Sequence, residues 1–114
     1  MENIRRIKVF KTYYKEFYIA QTAEVRAKID YVIELIKQVD RIPKTYFKQI
    51  EGVPGLYEIR VECIGNIYRI FCCNDEGQLV ILFNGFQKKS QKTPPDEIKR
   101  AKLIMNEYFE SKKG

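Results

Sequence analysis

The chain contains no histidine and only three cysteines in 114 residues. Cys63, Cys72 and Cys73 form no CxxC pair. Without imidazole, such a set argues against a zinc site. An odd number of cysteines on strand-like segments is not a disulfide framework, so they read as small core or sheet residues. No apolar run approaches the ~18 residues of a transmembrane helix. The opening "MENIRRIKVF" shows neither an h-region nor a small-residue cleavage site. Repeats, linkers and low-complexity stretches are missing as well. These absences make the cytoplasm the expected compartment, with no cofactor, no metal and no membrane partner.

The composition that remains supports folding. Hydrophobic residues make up 45% of the chain and aromatics 13%, enough for one core but not two. Residues 1–114 are therefore expected to form one domain. Lys and Arg outnumber Asp and Glu by 21 to 15, a formal charge of +6. A field of that sign favours polyanions, nucleic acid first among them, although an acidic protein is an alternative partner.

Along the chain, Ile4, Ile7, Val9 and Phe10 suggest a first strand, and Thr12 is positioned to cap a brief helix over "YYKEFYIA". Thr22 is the N-cap candidate of a longer helix. Val25, Ile29, Val32, Ile36 and Val39 recur there at steps of four and three, one apolar stripe, with Pro43 as its stop. Three strands follow in "GVPGLYEIRVECIGNIYRIFCCNDEGQLVILFNGF", with Gly65-Asn66 and "NDEG" as turns. A last helix begins after Thr93 as its cap and Pro94 in its first turn, and buries Ile98, Ala101, Met105 and Tyr108. The order β-α-α-β-β-β-α predicts an α+β fold with an antiparallel meander.

A two-residue loop at Gly65-Asn66 pairs Glu62 with Arg69 and Arg60 with Phe71. Alternation then puts Tyr57, Ile59, Val61, Cys63, Tyr68, Ile70 and Cys72 on a core face. A four-residue "NDEG" loop adds Leu79, Ile81 and Phe83 to that face, and sends Val80, Leu82, Asn84 and Phe86 to the arginines. The third strand is apolar on both sides, so it is expected to be central or covered on both. Arg60 and Arg69 beside such a strand are placed to be held rigidly, and a fixed guanidinium offers paired donors to a phosphate. The stretch "NGFQKKSQKTPPDEI" carries Lys88, Lys89 and Lys92 directly off this strand. Phe86 is a base-stacking candidate, and Asn84 and Lys48 are grouped with it as RNA contacts.

"GLYEIRV", "YRIF" and "LFNGFQKKSQKTPPDEI" together resemble the HigB/RelE-type toxins of bacterial and phage toxin–antitoxin pairs. The likeness is closest to the HigB-like, phage-derived branch with the FxKKxxKTP signature, and covers essentially the whole chain. It implies a microbial-ribonuclease-like fold and a ribosome-dependent mRNA endonuclease, held inactive by a cognate helix-turn-helix antitoxin. Operator DNA would be reached only through that antitoxin. Arg60 and Arg69 match arginines implicated in the family, and Lys88, Lys89 and Lys92 match its lysine cluster. Some relatives carry tyrosine or histidine at the end of the last strand as a proton-transfer group, where this chain has Phe86.

Cutting RNA through its own 2′-hydroxyl requires that hydroxyl to lose a proton, the phosphorane to be stabilised, and the leaving 5′-oxygen to gain a proton. Arginine suits the second task alone, because it stays protonated. One of Lys88, Lys89 or Lys92, with a pKa lowered by burial or neighbouring cations, is the candidate for proton transfer. Glu62 is the alternative base, set aside as the expected partner of Arg69. A site with so few titrating groups needs the ribosome to bend the message. Two other readings stand beside this one: a non-catalytic RNA- or antitoxin-binding protein or co-repressor, and a gyrase poison of the same fold.

Overall fold

The computed structural model describes residues 3–89 and 92–113; Ser90 and Gln91 of the lysine-rich stretch lie outside them. Strands β1 (Arg6–Val9), β2 (Phe47–Gln49), β3 (Leu56–Cys63), β4 (Asn66–Asn74) and β5 (Leu79–Lys88) form one sheet in the order β1-β5-β4-β3-β2. β1 runs parallel to β5, and the other pairings are antiparallel. Helices α1 (Tyr13–Ile19) and α2 (Ala23–Gln38) cover one face and α3 (Pro95–Ser111) part of the other. The α+β class and the meander follow the sequence reading. The first strand expected around Ile7 and Val9 is present as β1, but its parallel pairing with β5 was not foreseen, and neither was β2, whose three residues are too few to show a period.

β5 is flanked on both edges and covered on both faces, as its two-sided apolar character requires. The first core joins Phe17 of α1 and Val25, Ile29, Val32 and Ile36 of α2 to Ile59, Val61, Tyr68, Ile70, Cys72, Val80 and Leu82. The second joins Ala101, Ile104, Met105 and Tyr108 of α3 to Leu56, Phe71, Cys73, Ile81 and Phe83. Val80 and Leu82 thus occupy the face expected for Ile81 and Phe83. Asn74 pairs with Val80, so five residues, not four, separate paired positions. One residue more in the loop reverses every side chain after it.

A bulge then restores the end of the strand. Cys72 pairs with Leu82 but Ile70 with Gly85, an extra residue in β5. Beyond it Phe86 pairs with Arg69, on the face expected of it. Gly85 faces α1, where an added Cβ would meet the Phe17 ring at 2.6 Å. Gly85→Ala is expected to destabilise the fold by about 1–3 kcal/mol through overpacking, read as a lower midpoint in urea unfolding.

The helix ends correct three local expectations. Thr22 does cap α2, accepting from the Val25 N–H at 3.3 Å. The helix stops at Gln38 rather than at Pro43. There the Arg5 guanidinium donates to the carbonyls of Ile36, Val39 and Asp40, satisfying a helix end with a cation. Thr12 occupies the N-cap position of α1, but its hydroxyl bonds the Glu16 carboxylate and makes no side-chain cap hydrogen bond. Thr93 does not cap α3, whose N-cap is Pro94, and its hydroxyl goes to Glu58 instead. No helix of the described residues is long and apolar enough to cross a membrane.

Candidate functional site

The β3–β4 hairpin turns at Ile64 and Gly65, with Cys63 paired to Asn66. Both turn residues have positive φ, 50° and 74°, as a type I′ turn requires. The register differs by two from the one expected for a Gly65-Asn66 turn. A shift of two leaves every side chain on its face but changes its partner. Arg60 stands directly opposite Arg69, Glu58 opposite Phe71, and Glu62 opposite Ile67. The expected Glu62–Arg69 pair is therefore replaced.

Two arginines in direct cross-strand opposition repel unless something lies between them. Glu58 does. It is two residues before Arg60 on the same strand face, and its carboxylate touches both cations. Oε1 is 3.7 Å from Arg60 Nε, and Oε2 is 3.4 Å from Arg69 Nε. Thr93 Oγ1 donates to Oε2 at 3.5 Å, tying the segment before α3 to the same carboxylate. Glu58 and Arg69 are only 6% and 2% exposed. Arg69 also donates to the Tyr68 carbonyl at 3.1 Å, and Arg60 to the Lys44 carbonyl at 3.4 Å. Each guanidinium is thereby held by the Glu58 ion pair and by one hydrogen bond from a terminal nitrogen, while Arg69 Nε makes no hydrogen bond among the described residues. Glu58 was missed from sequence, although "EIR" already placed it on the face of Arg60; the register error gave its partner away to Glu62.

α3 covers the sheet around Phe71 and leaves the arginine end open. Arg60, Glu62, Gly65, Asn66, Ile67, Arg69, Lys88 and Lys89 line a cleft of about 560 Å³ there. Lys88 stands opposite Ile67 at the end of β5 and is half-buried, whereas Lys89 is exposed. Lys48 stands opposite Glu58 on the edge strand β2. Lys92 is exposed and lies outside the cleft lining. The structure thus gathers Arg60, Arg69, Lys88 and Lys89 on one wall, with Lys48 and Lys92 beyond it.

Phe86 and Asn84 differ from what a free RNA-contacting surface needs. The Phe86 ring is half-buried and stacked on Phe71, with centroids 5.6 Å apart and planes at 21°. Asn84 is 1% exposed, in the bulge, and neither of its amide atoms has a hydrogen-bond partner among the described residues. Burial in the bulge takes Asn84 away from the surface, and makes it a support for the strand end.

The electrostatics follow from this packing. Burial and the charge of Arg60 lower the Arg69 pKa, against the pull of Glu58 and Glu62; a guanidinium is so basic to begin with that the group stays cationic. Lys88 is lowered from the ordinary 10.5 by burial first and then by Arg69. Glu58 opposes that shift, and Arg60 and Lys48 add to it. Glu62 is exposed on the cleft wall and makes no ion pair among the described residues. The cleft therefore combines two fixed guanidiniums, an amine eased toward losing its proton, and an open carboxylate. No group of three or more Cys, Asp or Glu residues among those described is arranged to hold a metal ion.

Residues 16–106 match the family described as phage derived protein Gp49-like (DUF891). The match spans most of the chain, and the chain belongs to that family. It is a toxin-like, phage-derived family of the RelE superfamily. No curated protein matches the chain.

Proposed function

From that membership we propose that the chain is the toxin of a toxin–antitoxin pair and that it cuts messenger RNA on the ribosome, in the manner of the HigB branch. The observation that carries the reading is the Arg60–Glu58–Arg69 arrangement: two like charges held side by side, half or wholly out of water, at an open cleft. Holding them so is costly for the fold, and a dianionic phosphorane is a ligand that repays it. Arg60 and Arg69 bind the scissile phosphate and stabilise the charge that grows on it. Glu62 accepts the 2′-hydroxyl proton. The 2′-oxygen bonds to phosphorus, the bond to the 5′-oxygen breaks, and Lys88 donates its proton to that leaving oxygen. A cyclic 2′,3′-phosphate and a 5′-hydroxyl result. Lys89, Lys48 and Lys92 hold flanking phosphates, and the +6 charge favours docking on ribosomal RNA. A cognate antitoxin is the expected protein partner.

The carboxylate roles thus exchange between sequence and structure. With Glu58 pairing the arginines, the reason for setting Glu62 aside disappears.

Induction in cells tests the reading. Translation is expected to stop before replication. Replication stopping first would instead favour a gyrase poison. Lys88 gives a sharper expectation. The protonated amine is the acid, so the rate falls as pH rises through its pKa, at a pH below 10.5 because that pKa is lowered. Lys88→Arg keeps the charge but not the transferable proton. It is expected to cut about 10²-fold slower or worse and to lose the alkaline limb in single-turnover pH–rate profiles.

A further inference from the structure

Ile64 combines two anomalies at one position. Its φ is 50°, a left-handed conformation that asparagine and glycine adopt readily and a β-branched residue does not. It is also 74% exposed, the most exposed large apolar side chain among the described residues. Neither feature helps the fold. A turn-favouring polar residue would relieve the backbone and remove the exposed apolar surface together. Strain and apolar exposure retained on one residue point to a contact made with something else.

Its place narrows what that something is. Ile64 is the tip of the hairpin whose next three residues, Gly65, Asn66 and Ile67, line the arginine cleft. Phe86, the aromatic expected to meet a base, is half-buried and already stacked on Phe71. In-line attack needs the 2′-oxygen, the phosphorus and the 5′-oxygen to approach a line, which a stacked strand does not allow. The two nucleotides flanking the cut must be splayed apart. An apolar side chain at the rim is suited to that task, as wedges of isoleucine, leucine or phenylalanine are between stacked bases.

We propose that Ile64 is an unstacking wedge, packing against the nucleobase next to the phosphate held by Arg60 and Arg69 and so opening the strand for in-line attack. This rests on the nuclease reading above. It makes Ile64 a positioning residue, one that moves no proton.

Two variants test it. Ile64→Asn suits the turn but removes the apolar contact, and Ile64→Leu keeps the contact. Each is added, beside the unaltered protein, to ribosomes holding a message with 2-aminopurine next to the cleaved position. Ile64→Asn is expected to melt higher, to cut about 10-fold slower or worse, and to give no rise in 2-aminopurine fluorescence. Ile64→Leu should give both the rise and near-normal cutting. An Ile64→Asn protein that melts lower, or that cuts and unstacks as the unaltered protein does, overturns the wedge while leaving the nuclease reading standing. A folded unaltered protein that leaves the message whole overturns both.

Discussion

Arg69→Ala is expected to slow cleavage of ribosome-bound message by about 10²–10³-fold, the usual cost of deleting one preorganised donor to a developing oxyanion. The size follows from burial. A guanidinium that is 2% exposed acts where water screens little, so its attraction for the phosphorane is far stronger than that of a surface lysine. It is also held before substrate arrives, by Glu58 and the Tyr68 carbonyl, so no reorganisation is spent during the reaction. The loss should fall mainly on the single-turnover rate, with binding to ribosomes little changed, because Lys48, Lys89 and Lys92 still attract RNA. Arg69→Lys should recover only a small part, since an ammonium lacks the planar pair of donors. Thermal melting and near-ultraviolet circular dichroism check that the variants remain folded. A folded Arg69→Ala protein with full activity removes Arg69 from the chemistry.

Glu58→Ala is expected to destabilise the fold by about 3 kcal/mol or more, measured by urea unfolding. Removing one partner of a buried pair leaves the other charge desolvated and unpaired. Here the stranded group is Arg69, and its neighbour directly across the strands is Arg60. Glu58→Gln should lose less, because an amide oxygen can still accept from Thr93. Both variants also remove the Glu58 charge, an effect that stability alone does not capture. Glu58 is the charge that opposes the lowering of the Lys88 pKa. With glutamine in its place, Lys88 should lose its proton at lower pH, and the alkaline limb of the cleavage profile should move down. A limb that stays fixed would separate Glu58 from the proton-transfer chemistry. Glu58→Ala stability close to the unaltered protein would mean that the arginines tolerate each other without it.

Much of this architecture was legible in the residues. The α2 stripe from Val25 to Ile36 and the Thr22 cap were readable because a helix repeats its signal over several turns. The alternation in "LYEIRVEC" assigned each side chain of β3 to its face, because faces depend only on parity. Partners depend on the turn, and there the sequence misled. Gly65-Asn66 obeys turn preferences better than Ile64-Gly65 does, yet the chain turns at Ile64 with φ 50°. Local preference lost to the pairing of two long strands, and Glu58 went unnoticed as a result. In β5 the expected loop was one residue short, and the bulge before Gly85 corrected the error by the time the chain reached Phe86. Bulges and strained turns leave little trace in a hydrophobic pattern. The strained turn runs directly into the cleft lining at Gly65, where local rules are most often broken for function.

The most direct test uses purified protein, free of antitoxin, and a labelled message with and without translating ribosomes. Primer extension then maps the 5′ ends for the unaltered chain and for Arg69→Ala. The account predicts cuts at codon-registered positions, only in the tube with ribosomes, and lost in Arg69→Ala. An intact message in both tubes, from folded protein, would contradict it.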